Sequence, residues 1–203
     1  MSSTQPEHQI AGVPFSLNWL GVPVAWAAEG SALTVTAGPR TDWFVDPGGV
    51  VPTLNAPALI GDVDGNFILS ALVEVDFEGT FDAGALVLWH DESRWAKLCF
   101  EYSPQQEPMV VSMVTRGFSD DCNSMVVASK AVWLRIAHIG SANAFHASTD
   151  GIRWQLVRHF TLGEAGGLSV GFESQSPLGQ GCTTKFTGIA FSPSTLAELR
   201  DGS

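Results

Sequence analysis

The amino-acid sequence predicts an all-β protein, a β-sandwich or jelly roll of two antiparallel sheets. Three observations carry this. About a dozen segments of alternating or near-continuous apolar residues recur at a spacing of roughly 8–15 residues. Clusters of Gly, Pro, Asn, Asp and Ser, the residues that make turns, punctuate them. No stretch sustains the apolar period of a helix.

The elements follow in chain order. Residues 1–12 read as a flexible lead, and residues 13–203 as a single domain. Phe15, Leu17 and Trp19 alternate, as do Leu33 and Val35, giving two short strands. Thr36–Gly49 is rich in turn residues and holds Asp42, Trp43 and Asp46. Asp62–Asn66, D-V-D-G-N, begins like a calcium loop, but its glycine falls one place early and Val73 stands where a bidentate Glu is needed. It reads as a tight turn into the strand Phe67–Phe77. Ala83–Asp91 is the next strand. Trp95–Asn123 then reads as two strands joined by a proline-containing turn, followed by a loop with adjacent aspartates. Val132–Ile139, Ala144–Thr149, Trp154–Phe160, Leu168–Gln175 and Lys185–Phe191 complete the strands. A short C-terminal helix is expected after Pro193, where Thr195 and Glu198 have capping-box spacing.

Composition narrows the functional classes. A net charge of -11 argues against phosphate-directed binding of nucleic acid and against docking on anionic membranes. Three cysteines, an odd set, and an N-terminus without the pattern of a signal peptide point to a reduced, cytoplasmic protein. No apolar run approaches the roughly 20 residues of a spanning helix.

Several constellations bear on chemistry. Glu74, Asp76 and Glu78 emerge from one face of a strand, and this spacing resembles the catalytic strand of family-16 glycoside hydrolases. The same alternation also describes a solvated outer face. Ser148, Asp150, Gly151 and Trp154 resemble the Asp-box of sialidases with one residue fewer, and physically form a hairpin turn. Placing Leu98/Phe100, Val111/Met113, Leu134/Ile136, Phe145/Ala147 and Val170/Phe172 in the core puts Lys97, Cys99, Glu101, Ser112, Arg116, Arg135, His146, Ser148, Glu173 and Gln175 on the opposite faces. On a concave sheet these would line a groove with groups of both signs, walled by Trp43, Trp89 or Trp95. No pair among the histidines and cysteines has zinc-type spacing, and His146 is the one histidine placed to serve as an acid or base. No metal or cofactor is expected. The exception considered is calcium, for which Asp120, Asp121 and Asn123 offer hard oxygen ligands.

Six blocks carry a family resemblance: T-D-W-F-V-D-P (Thr41–Pro47), W-A-K-L-C-F-E (Trp95–Glu101), V-T-R-G-F-S-D-D-C-N (Val114–Asn123), W-L-R-I-A (Trp133–Ala137), A-F-H-A-S-T-D-G-I-R-W (Ala144–Trp154) and the segment Val170–Cys182. Together they resemble domain-of-unknown-function family 1349, whose fungal relatives are called regulation of enolase proteins. The resemblance implies a concanavalin A-like lectin/glucanase jelly roll and no established activity.

Three functions are therefore expected in order. The first is a module binding a small carbohydrate or sugar-like metabolite through Lys97, Glu101, Arg116, Arg135, His146 and Gln175, with Trp43 or Trp95 stacking on it. The second is a glycan hydrolase or lyase using Glu74, Asp76 and Glu78, or Glu101 with His146. The third is a protein-interaction or regulatory module of metabolism.

Overall fold

The structure is a computed structural model that describes residues 7–49, 51–163 and 167–203. Strands are numbered along the chain. The first seven-stranded sheet runs, in spatial order, β1 (Asn18–Leu20), β6 (Ala58–Val63), β15 (Leu168–Gln175), β8 (Ala83–Asp91), β9 (Arg94–Tyr102), β10 (Pro108–Arg116) and β11 (Phe118–Val126). The second runs β14 (Gln155–Phe160), β13 (Ala142–Ser148), β12 (Ala131–Ile139), β7 (Phe67–Val75), β16 (Cys182–Ser192), β3 (Ala32–Ala37) and β2 (Ala25–Glu29). A two-stranded ribbon, β4 (Trp43–Phe44) with β5 (Thr53–Leu54), stands apart from both. All pairings within the sheets are antiparallel.

Alternation drives the assembly. Leu86, Leu98, Phe100 and Phe172 of the first sheet meet Phe67, Leu69, Leu134, Phe145 and Phe186 of the second in one buried core. Burying a Leu or Phe side chain stabilises the fold by about 1.5–3 kcal/mol each. Phe172 and Phe186 pack with ring centroids 5.1 Å apart, joining the two layers.

The first sheet is buried on its other face as well. Trp43, Trp95, Val87, Cys99, Val111 and Met113 form a second apolar cluster beneath the segment that contains β4 and β5. This explains why β8, β9 and β10 read as nearly unbroken apolar runs: strands covered on both sides lose the polar alternation.

The structure corrects four local expectations. Within the expected lead, His8 is bridged to Leu17 through two backbone hydrogen bonds of 2.8 Å and Ile10 is buried, while Glu7, Gln9, Ala11 and Gly12 are exposed; residues 1–6 lie outside the described residues. The Asp120–Asp121 segment is strand β11, not a loop. Met113 pairs with Lys97 and Ser112 with Leu98, so Val111 and Met113 share the face of Lys97 while Ser112 faces the core. The C-terminal helix does not form. The segment is too short to offset helix nucleation. The amides of Ala197 and Glu198 donate to the Ser203 carbonyl, and that of Gly202 to the Glu198 carbonyl.

Gly171 lies at a point of closest strand approach, where an added Cβ would sit 2.0 Å from the Leu59 carbonyl oxygen and 2.9 Å from the Ile60 Cα. Backbone atoms cannot step aside as a side chain can. Gly171→Ala is therefore expected to lower the free energy of unfolding by about 1–3 kcal/mol in urea denaturation.

Candidate functional site

Lys97 sits at the centre of β9, on the face covered by the β4–β5 segment, and is fully buried. Its ammonium Nζ donates to Asp42 Oδ1 at 3.0 Å and to Gln175 Oε1. It also lies 5.9 Å from the centroid of Trp95. An ammonium removed from water needs such partners, since an unpaired buried charge is among the costliest features a fold can carry.

Both partners are held from behind. The Asp42 amide donates to Asn55 Oδ1 at 2.9 Å, and Asn55 returns its own amide to the Asp42 carbonyl at 3.0 Å. The Gln175 side chain donates through Nε2 to the Phe81 carbonyl, which fixes which end of the amide faces Lys97. Next in the chain, Ser176 Oγ donates to Asp82 Oδ1 at 2.6 Å, and the Ser176 amide donates to Thr41 Oγ1 at 3.0 Å. Asp82 also accepts the amides of Glu78 and Gly79. These bonds tie the covering loop, the start of β8 and the end of β15 into one support.

Asp42, Phe44, Phe81, Lys97, Glu101, Met113, Asp121 and Gln175 enclose a cavity of about 140 Å³. Glu173 lies buried on the same face of the sheet, with neither carboxyl oxygen hydrogen-bonded. Burial raises Glu101 to about 8 against the pull of Lys97, and raises Glu173 to about 8 for the same reason. Asp121 projects from the exposed edge strand β11 toward the mouth, and its pKa is also raised by burial against surrounding protein. Lys97 is held charged: burial opposes it, but the charge of Asp42, the strongest of the groups that act the other way, outweighs that cost. Near neutral pH the chamber thus pairs one ammonium with Asp42 beside two carboxyl groups that keep their protons. Larger clefts exist, such as one of about 320 Å³ between His90 and His138 and one of about 630 Å³ beside Glu74 and Lys185. Their ionisable lining groups are not buried.

The expected groove divides. Lys97, Glu101 and Gln175 line one cavity. Trp43 and Trp95 are beside them but are buried, packed 5.7 Å apart, and present no ring face to a ligand. Phe44 and Phe81 supply the aromatic lining instead. Arg135 and His146 are partners in register on the outer face of the second sheet, with the whole core between them and Lys97. Glu101 and His146 therefore cannot act as a pair. Arg116 is exposed at the end of β10 and, among the described residues, reaches the Thr161 carbonyl at 3.5 Å.

The carboxylates Glu74, Asp76 and Glu78 are exposed on the second sheet and beyond its end. Strand β7 ends at Val75; the Asp76 amide still reaches the Thr183 carbonyl at 2.9 Å, and beyond it Asp82 captures the amides of Glu78 and Gly79. Asp120 and Asp121 point to opposite sides of β11, as strand neighbours must; Asp120 pairs with Arg158 at 2.9 Å, so the two cannot converge with Asn123 on calcium. Among the described residues no three His, Cys, Asp or Glu side chains are placed to hold a metal ion. The Ser148–Trp154 segment is the turn expected of it: Asp150 accepts the amides of Ile152 and Arg153, and Gly151 has φ 73°.

Comparison with known proteins follows the same lines. A family model described as "Protein of unknown function (DUF1349)" matches residues 19–194. A functionally unknown protein from Saccharomyces cerevisiae superposes with a TM-score of 0.80 at 21% identity, over 87% of this chain and 95% of its own. The GH43 BlXynB protein from Bacillus licheniformis matches with a TM-score of 0.70 at 11% identity, over 88% of this chain and 37% of its own. Xylan beta-1,4-xylosidase from Bacillus halodurans C-125 gives 0.66 at 14% identity, over 93% and 41%. The chain spans less than half the length of these two enzymes, and likeness at such identity shows the fold alone. No curated protein matches the chain. With its sandwich of two antiparallel sheets and a family match over most of its length, the chain belongs to the DUF1349 family of proteins of unknown function.

Proposed function

We propose that the chamber around Lys97 binds one unit of a small, neutral polyhydroxyl ligand, a sugar or sugar-like metabolite. The observation that carries this reading is the buried Lys97 ammonium, compensated by Asp42 and Gln175 and flanked by protonated Glu101 and Glu173. Protonated Glu101, which lines the chamber, both donates and accepts, as a hydroxyl does, so this part of the lining matches an alcohol better than an ion. With the ammonium already paired, a charged ligand would enter without a counter-ion. The apolar edges of Phe44, Phe81 and Met113 suit the carbon faces of a sugar ring. At about 140 Å³ the chamber is smaller than the roughly 300–1,000 Å³ of ordinary ligand pockets, so it takes a single ring or chain end.

A second reading rests on Glu101 alone. A carboxyl that keeps its proton at neutral pH inside a pocket is what a glycosidase acid requires. Screening polysaccharides for released reducing ends separates the two. Release that is lost in Glu101→Gln supports hydrolysis, and binding without release supports the module.

Two expectations follow for the binding reading. Isothermal titration with a panel of monosaccharides and polyols should find at least one that saturates. Met113→Trp, which fills the chamber without removing a polar group, should abolish that heat; a panel with no binder, or binding that survives the substitution, contradicts the assignment. The second concerns pH. Glu101 and Glu173 lie at about 8 in the folded protein against an ordinary 4.5. Between those values the folded state holds protons that the unfolded chain has released, so stability falls as pH rises through the window. Each carboxyl contributes a slope of up to about 1.4 kcal/mol per pH unit. Urea unfolding from pH 5 to 8 should show the decline in the wild type and a shallower one in Glu173→Gln.

A further inference from the structure

The outer face of the second sheet carries a separate feature that the Lys97 chamber does not use. Arg135 is only 7% exposed, and its Nε and Nη2 have no hydrogen-bond partner. These two nitrogens share one edge of the planar guanidinium, the edge that grips a carboxylate or phosphate with two parallel hydrogen bonds. The Trp154 ring covers the flat face, with Cζ 4.2 Å from its centroid, so this stacking does not use that edge. Across the strand pair, His146 is buried, with Nε2 2.8 Å from the Leu199 carbonyl and Nδ1 without a partner. Burial lowers the pKa of Arg135, to about 10. An unpaired guanidinium inside a chain of net charge -11 is an arrangement that folding alone does not favour.

The cover over this edge is slight. Gly202 is buried in the left-handed region at φ 73°, and an added Cβ would stand 1.9 Å from Arg135 Nη2 and 2.9 Å from Trp154 Cβ. Leu199 is tied to the sheet through His146, while Arg200, Asp201 and Ser203 are exposed. The tail therefore rests on the guanidinium without satisfying it.

We propose that Arg135, backed by the Trp154 ring, forms a second binding site for a small oxyanion, a carboxylate or a phosphate, and that residues 199–203, held to the sheet through His146, close over it. The ligand would take the Nε–Nη2 edge when the tail lifts, and the tail would compete with it. The site is separated from Lys97 by the sandwich core, so it stands whether or not the chamber binds a sugar.

The test follows the Arg135 Nε–H signal by NMR while inorganic phosphate or acetate is added, with sodium chloride holding ionic strength constant. A saturable shift with phosphate, acetate or both is expected, and the pattern identifies which oxyanion the site takes. Arg135→Lys keeps the charge without the two-pronged edge and should weaken binding about tenfold, read by isothermal titration with its fold checked by circular dichroism. Gly202→Ala should drive the tail off and tighten binding about tenfold, a change within the range of conformational competition. No saturable shift in either the wild type or Gly202→Ala overturns the site. Equal binding by Arg135→Lys overturns the role of the edge, and unchanged affinity in Gly202→Ala overturns the closing tail.

Discussion

A lysine ammonium with no access to water constrains most of what surrounds it. Lys97 can remain charged only because Asp42 and Gln175 meet it, and neither comes from a neighbouring strand by default. Asp42 must be brought down onto the sheet by the loop that contains β4 and β5. Gln175 must be turned by the Phe81 carbonyl at the start of β8, where Phe81 itself adopts φ 68°. The covering loop then has to be anchored, which the Trp43 indole does by donating to the Ala56 carbonyl at 3.1 Å. One buried charge therefore accounts for the ribbon, the second apolar cluster and the network through Ser176 and Asp82.

The two sheets have become different objects as a result. The central strands of the first are buried on both faces, and its outer face carries the small chamber around Lys97. The second keeps a more open outer face, with exposed Glu74 and Lys185 and a lone buried arginine under the tail. Sandwich neighbours such as the GH43 proteins share the layered scaffold at low identity, so the chemistry of this chain is set by what decorates each sheet.

Much of the scaffold was legible from period-two patterning, because most strands have one strictly apolar face. Lys97, Cys99 and Glu101 were placed on one face correctly for that reason. The pattern failed at β10, where Met109–Thr115 is buried on both sides and Ser112 stands on the core face with its hydroxyl unpartnered. A polar residue there reads as outward-facing, and the inversion hid Met113 from the chamber. Asp42 was visible in its turn-rich block but could not be assigned to Lys97, since no local rule relates residues 55 positions apart. The same limit explains the merging of Arg135 and His146 with Lys97. Alternation says which side of a strand a residue occupies, and only the pairing of sheets says whether two such sides are one surface.

The central claim is that Lys97 organises a chamber in which two carboxyl groups stay protonated near neutral pH. It is tested most directly by carbon-13 NMR titration of the glutamate side chains in the wild type and in Glu101→Gln and Glu173→Gln. The account predicts two glutamates that titrate at about 8, each lost in its own variant. If every glutamate titrates near the ordinary 4.5, neither carboxyl is buried and protonated as described, and the account is contradicted.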